Sequence, residues 1–511
     1  MQKATPVKCS FFYVGLRLQN FLLKPSLHHI VFLFLGLCYL TFPNNNAAID
    51  SWYYAACVKH GEELINSHHL LYNIIGKGWY SVLLMFNPAC HALQALNSMN
   101  AIAGTACLFI CFATLKQLGT EKNSAFLLTL IAGASYGFMR FTTDAETYIL
   151  PLFLSLASTY YLAKGLTLRN SLISGLLACC AILVHELHIW WALAILVFLC
   201  RQKPFKWQLV LCYSLPFLLT PIAYLIAYQS LHHPSYTFYQ FILGEYGKSN
   251  ASLSLSLAGA LLTIVNAIRS FVQIHGQFLH LFKHYGLYLV LPVVIAIAFA
   301  LKGFIALKRI GIGIRSNSAL SFSGLFLMAF LLHLMFAFLS SGNAEFMVML
   351  PFLFILYAGS RYTQINLIAL KLFFCALFIW NLTLGILPHS LLIIEKADTQ
   401  TRFEKQHPSA VFLWANKPLV ENVMTYQMGF SYHGTYIKPQ LDLTHTIDSF
   451  LIAGKRVYTD MNNNRTRFSR EALLRNWDAT EIVNTYQLIP LDSFNTIYGK
   501  NYVLEIVKKP N

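Results

Sequence analysis

Residues 28–54 read HHIVFLFLGLCYLTFPNNNAAIDSWYY. The apolar run over 28–43 ends at Pro43 and three asparagines, and an acid, Asp50, follows beside Trp52, Tyr53 and Tyr54. About 20 mostly apolar residues cross a bilayer, and fewer suffice where the flanks snorkel. No small-x-small cleavage site follows the run, so it is expected to be a retained span rather than a signal peptide.

Ten further runs of the same kind follow, at roughly 96–115, 124–140, 146–163, 171–185, 188–200, 208–229, 286–301, 319–339, 346–359 and 366–387. The composition agrees with eleven spans. Only 11% of the 511 residues are charged and 56% are hydrophobic, against roughly 25% charged in soluble proteins. A soluble globule, a disordered chain and a disulfide scaffold are excluded on these grounds. The expected fold is an all-α polytopic membrane protein of about eleven transmembrane helices, residues 1–387, followed by a small soluble α/β domain, residues 388–511. Nine of the 21 acids lie in the first part and 12 in the last 124 residues, which marks the second part as water-soluble. There HTIDSFLIAGKRVYTD reads as a helix and, after Gly454, a strand; SREALLRNW reads as a Ser-capped helix and YVLEIVKK as a terminal strand.

Lysine and arginine set the orientation. With the N-terminus in the cytoplasm, the alternating loops put 16 bases of the first part inside and six outside (Lys59, Lys77, Arg140, Lys248, Arg269 and Lys283). The net charge of +16 therefore reports topology and gives no reason to expect nucleic acid. Two long outer loops result, 44–95 and 230–285. Residues 69–89 suit a helix lying at the membrane surface, and ASLSLSLAGALLTIVNAIRSFVQ an amphipathic segment tucked against it. Most of the eleven cysteines sit in or beside apolar runs as small hydrophobes; Cys57 and Cys90 share the first outer loop, where they could pair in an oxidising compartment.

In this topology every acid of the first part except Glu121 falls outside or at an outer span end. A carboxylate near hydrocarbon is costly unless paired or wetted, so a one-sided set points to an outward-facing site. Asp50, held near the surface under aromatic side chains, would be partly desolvated, which favours a general base; a solvated loop acid with interfacial aromatics explains the same residues. In MRFTTDAETYILPL, Asp144 and Glu146 serve equally well as helix cap and dipole partner. His185-Glu186-Leu187-His188 falls one residue short of a zinc-protease motif, and Gly247-Lys248-Ser249 lacks the first glycine of a phosphate loop.

An acid just after the first span, a long outer loop with His68-His69-Leu70-Leu71-Tyr72-Asn73, a short acidic second outer turn and a soluble C-terminal domain together resemble the GT-C class of membrane glycosyltransferases, with the protein O-mannosyltransferases and aminoarabinose transferases as nearest kin. The likeness covers about the first 200 residues in motif and the rest in architecture. It implies transfer of a sugar from a polyprenyl-phosphate donor, outside a plasma membrane of the bacterial inner type, to a glycan, lipid or protein acceptor, usually with inversion. By position Asp50 would be the base, Asp144 and Glu146 the second acidic element, and His68 and His69 the start of the loop helix. Relatives have His-Pro-Pro where this chain has His69-Leu70, and often two adjacent acids where it has Asp50 alone; the acceptor and any divalent metal are left open by those departures. Arg140, Arg269 or Lys248 could hold the lipid phosphate, while His185, His188 and Glu345 could line the same cavity or close helix ends. The expected partners are the lipid-linked donor and membrane lipids. Two other readings fit the topology: a transporter or flippase, disfavoured by the lack of an evident repeat or a carboxylate deep in a span, and a non-catalytic subunit of a polysaccharide assembly or export system.

Overall fold

The computed structural model describes residues 27–231, 237–243, 256–274, 277–308, 319–362, 365–437, 442–461 and 480–510. Lys248 and the SREALLRNW segment lie outside them. The first eight helices are α1 Leu27–Thr41, α2 Ile49–His60, α3 Tyr72–Phe86, α4 Ala92–Gln117, α5 Lys122–Gly133, α6 Tyr136–Thr142, α7 Ile149–Lys164 and α8 Leu168–Val184. After a 3₁₀ turn at Glu186–His188 come α9 Ile189–Cys200, α10 Trp207–Ser214, α11 Leu219–Ser230, α12 Phe238–Leu243, α13 Leu257–Phe271, α14 Phe278–Leu307 and α15 Ala319–Leu339. A further 3₁₀ turn, Ala344–Met347, leads into α16 Leu350–Arg361, α17 Leu367–Asn381 and α18 Leu387–Leu391.

Among the described residues six helices are long and apolar enough to cross a membrane, seven if the bent pair α5 and α6 is counted as one. The chain is an integral membrane protein. Helices α1, α7, α8, α13 and the segment through α9 are apolar but shorter. The run expected as one span over 124–140 is broken, with α5 and α6 meeting at 66°. Asn381 accommodates the break: its side-chain amide donates at 2.8 Å to the Ala134 carbonyl, an acceptor freed at the bend, and at 2.8 Å to the Phe271 carbonyl at the end of α13, so both are satisfied inside the protein.

One apolar core joins most of these helices, with Phe32, Tyr39, Leu108, Phe138, Trp191, Tyr213 and Phe352 fully or almost fully buried. Small residues let helices approach: a Cβ on Gly175 of α8 would stand 2.1 Å from the Tyr213 carbonyl oxygen of α10. Helix α13 reverses the amphipathicity of a soluble helix. Gly259, Thr263 and Ser270 are buried, whereas Leu257, Leu261, Leu262, Ile264, Val265 and Ile268 are exposed. Helix α3 likewise exposes Ile74, Ile75, Val82, Met85 and Phe86, a face suited to lipid rather than water. Cys57 and Cys90 are both free thiols.

The C-terminal part contains α19 Asp398–Gln406, β1 Val411–Leu413, α20 Lys417–Met428, β2 Thr435–Tyr436, α21 Leu443–Ile452, β3 Val457–Thr459, α22 Thr480–Thr485, β4 Tyr486–Thr496 and β5 Gly499–Lys508. The helix and strand expected around Gly454 and the terminal strand are thus present. Sheet order is β2-β1-β3-β5-β4, parallel between β1 and both β2 and β3, antiparallel across β3-β5 and β5-β4. Alternation along β1 divides the domain into two cores. Val411 and Leu413 join Ile447, Val457 and Ile506 on one face, while Phe412 joins Phe403, Trp414, Val420 and Met424 on the other. Ile49 and Trp52 of α2 pack onto the second core, so the membrane part closes this face of the sheet domain.

Candidate active site

Helix α2 carries Asp50 in its first turn, and it has two differently packed faces. Ile49 and Trp52 lie against the C-terminal domain, while Tyr54, Ala55 and Val58 pack with Tyr72, Leu96 and Ala145 of the membrane part. The C-terminal domain grips the helix at both ends. Asn422 Nδ2 donates to the Ile49 carbonyl at 2.9 Å, Lys59 Nζ to the Tyr426 carbonyl at 2.7 Å, and the Tyr426 ring meets Trp52 edge-on at 5.2 Å. Burial there pulls the Lys59 ammonium below its ordinary value, with Lys405 adding to the effect. Asp50 itself is exposed.

Behind Asp50 the second acidic turn points inward and is buried. Asp144 is 0% exposed and is held by Arg140 Nη1 at 2.5 Å, Asn44 Nδ2 at 2.8 Å and Ser51 Oγ at 3.1 Å. Ser51, the neighbour of Asp50, also donates to Glu146 Oε1 at 3.2 Å. Asn100 of α4 fixes the turn by donating to the Asp144 and Glu146 carbonyls at 2.7 and 2.6 Å. The cap of α7 is Tyr148, and neither acid caps that helix. The Tyr148 hydroxyl instead donates to Glu345 Oε2 at 3.0 Å, while the Glu345 backbone N–H is capped by Asn343. Asp50, Asp144, Glu345 and Arg140 are all within electrostatic reach of Glu146. Four acids from three separate regions of the sequence therefore cluster here, with Arg140 already paired to one of them.

The histidines form the adjoining wall. His68 Nδ1 lies 2.5 Å from Glu186 Oε1. The His69 ring meets His185 at 4.4 Å and Tyr54 at 5.8 Å, and burial followed by the neighbouring His68 lowers its pKa to about 3, so it is a neutral imidazole. Burial raises the Tyr54 phenol, and the charges of Asp50 and Glu146 raise it further. His185 stacks obliquely on Tyr148 at 4.9 Å and is 5% exposed; His188 is 1% exposed and shares a 2.8 Å hydrogen bond with Ser155 Oγ. Arg269, at the end of α13, stands over the Tyr136 ring at 5.8 Å, and Tyr136 is in turn an electrostatic neighbour of Arg140. Among the described residues no group of three or more His, Cys, Asp or Glu is arranged to hold a metal ion.

The structure thus brings Asp50, Arg140, Asp144, Glu146 and Glu345 together, sets His69, His185 and His188 beside them, and leaves Arg269 one ring away. Several residues of the pocket were not singled out from the sequence. Asn44, Ser51, Asn100, Tyr148 and His333 are among them. The signals available were the asparagine triplet after the first span, the polar Asn97 and Asn100 inside an apolar run, and the lone histidine of ALSFSGLFLMAFLLHLMFAFL.

No protein-family profile matches the chain, and no curated protein matches it. Solved structures do. ArnT from Cupriavidus metallidurans in the apo state is similar over 94% of this chain and 99% of its own, at 11% identity and a TM-score of 0.41. The Archaeoglobus fulgidus oligosaccharyltransferase tethered to an acceptor peptide by a disulfide is similar over 95% of this chain and 74% of its own, at 10% identity and a TM-score of 0.44. The same enzyme in complex with Zn and sulfate is similar over 93% and 72%, at 13% identity and a TM-score of 0.42. The two proteins in these three structures are GT-C glycosyltransferases.

Proposed function

We propose that the chain is a glycosyltransferase that moves a sugar from a polyprenyl-phosphate donor to an acceptor outside the cytoplasm, with Asp50 as general base. In this reading the chain crosses a plasma membrane of the bacterial inner type about eleven times from a cytoplasmic N-terminus, and residues 388–511 form the soluble outer domain. The observation that carries the reading is the division of labour among the acids. Asp144 is buried and neutralised by Arg140 and three further hydrogen-bond donors, whereas Asp50 lies exposed on the rim. A base must reach the acceptor, and a buried, paired carboxylate cannot.

The chemistry follows from the arrangement. Asp50 takes the proton of the acceptor hydroxyl or amine as its oxygen or nitrogen attacks the anomeric carbon. Glu146 and Glu345 accept hydrogen bonds from sugar hydroxyls, and the departing lipid phosphate is stabilised by donors on the membrane side of the pocket. The Arg140–Asp144 pair holds the turn in place.

The test is transfer by the purified protein in lipid nanodiscs, using extracts of polyprenyl-phosphate sugars and mass spectrometry of the products. Asp50→Asn is expected to lower the rate about 10²- to 10⁴-fold, the usual worth of a general base, without loss of folded protein. Full activity in that variant would remove Asp50 from the role. Labelling that put residues 50 and 144 on opposite membrane faces would remove the site altogether.

A further inference from the structure

Three imidazoles lie behind the acid pocket, and the proposed base chemistry uses none of them. His185, His188 and His333 are 5%, 1% and 0% exposed. His185 Nδ1 accepts the Leu187 backbone N–H at 3.2 Å. A ring nitrogen that accepts carries no proton, so the proton of His185 is on Nε2. That N–H has no hydrogen-bond partner among the described residues. The same is true of Nε2 of His188 and of both nitrogens of His333.

Leaving one buried polar group unpaired costs about 1–3 kcal/mol, and at least two of these nitrogens, Nε2 of His185 and one of His333, are N–H donors that call for an oxygen acceptor. The His188 and His333 ring centroids are 6.1 Å apart, a gap that one oxygen atom bridges at hydrogen-bond length to both rings. His185 is within electrostatic reach of both. Two neighbouring carboxylates point to other partners: Glu345 accepts from Tyr148, and Glu186 meets His68. Acceptor oxygens serve the N–H groups of His185 and His333, while the second nitrogen of a neutral His333 is itself an acceptor.

Depth narrows the class. His333 sits roughly six residues before the outer end of α15, about 9 Å down the helix at 1.5 Å per residue. His185 and Tyr148 link it upward to Glu345 and the other acids. A ligand with sugar hydroxyls above, an anionic phosphate below and a hydrocarbon chain in the bilayer matches this order. Neutral donors also suit a site that empties at each turnover, because they leave no unpaired positive charge in the apolar interior. Arg140, the cation beside the acids, is already committed to Asp144.

We propose that His185, His188 and His333 form the seat of the lipid donor's phosphate, with His333 as its deepest ligand. The proposal rests on the glycosyltransferase reading for its ligand class. It is tested by binding alone, with the purified full-length protein in nanodiscs and two probes, a polyprenyl monophosphate and the polyprenyl alcohol of equal length. Wild type is expected to bind the phosphate and not the alcohol. His333→Phe should weaken phosphate binding at least about 10-fold, and His333→Gln, which keeps a donor, should weaken it less; matched thermal melts establish that both variants are folded. Phosphate binding unchanged in His333→Phe would overturn the assignment even if Asp50→Asn abolishes transfer, and the seat would then be an ordinary hydrated cluster. Loss of binding in His333→Phe alongside full transfer by Asp50→Asn would uphold the seat and remove the base. Failure of wild type to bind the phosphate would overturn both.

Discussion

Asn422 donates a 2.9 Å hydrogen bond to the carbonyl of Ile49, the residue immediately before Asp50. A side chain of the C-terminal domain thereby touches the backbone that carries the proposed base. Trp52 and Ile49 add an apolar contact to the same domain core, so the angle at which α2 presents Asp50 depends on the C-terminal residues as well as on the membrane helices.

Asn422→Ala is expected to lower kcat for sugar transfer about 10- to 100-fold, the scale of a 1 Å misplacement, with the donor KM nearly unchanged. Asn422→Asp keeps the size and removes the donor, and should behave like alanine. Steady-state kinetics on both variants check this, and an equal fall in donor affinity would point to general disorder of the domain instead.

Asp144→Asn leaves the Arg140 guanidinium buried without its counter-charge, which costs about 3–5 kcal/mol. A large drop in the thermal midpoint is expected. Adding Arg140→Gln to that variant should recover part of the loss, because the uncompensated charge is gone. A double-mutant cycle of melting midpoints measures the coupling.

Glu404 is fully buried and accepts hydrogen bonds from the Trp414 indole and from the Tyr432 and Tyr436 hydroxyls, the last two at 3.0 Å. Burial nevertheless raises its carboxyl above the usual carboxylate range, with the hydrogen bonds opposing. The native state therefore keeps a proton that the unfolded chain releases near pH ~4.3. The stability this contributes is fully present below that value and is lost as pH rises through the native one. Glu404→Gln has no proton to lose and should flatten the pH dependence of melting over that window. An unchanged profile would show that another group sets it.

Gly175→Ala places a methyl against the Tyr213 carbonyl where α8 and α10 cross. Backbone rather than a flexible side chain must move, so destabilisation of about 1–3 kcal/mol is expected. Lower recovery of folded protein and a lower melting midpoint would register it, whereas alanine behaving as wild type would mean that the two helices slide apart at little cost.

Much of the helix pattern was legible because apolar runs are local. The helix over 96–115, the one over 319–339 and the helix and strand around Gly454 are close to where the sequence puts them. The bend within 124–140 was not legible, because the residue that accommodates it, Asn381, lies roughly 250 residues away in sequence. At the site, the acids could be named from their one-sided distribution, but their roles could not: Asp144 and Asp50 look alike in sequence, and only the positions of Arg140, Asn44 and Ser51 make one a buried anchor and leave the other at the rim. His333 was passed over because a single histidine in an apolar run is indistinguishable from filler until its neighbours are known.

By itself the sequence determined that this is a membrane protein with a C-terminal α/β part, since hydropathy and charge act residue by residue. Tertiary structure alone decided which carboxylate is neutralised, which histidines share a wall and that the tail grips α2. Those outcomes depend on hydrogen bonds and packing between residues tens to hundreds of positions apart, and no local preference encodes such pairings.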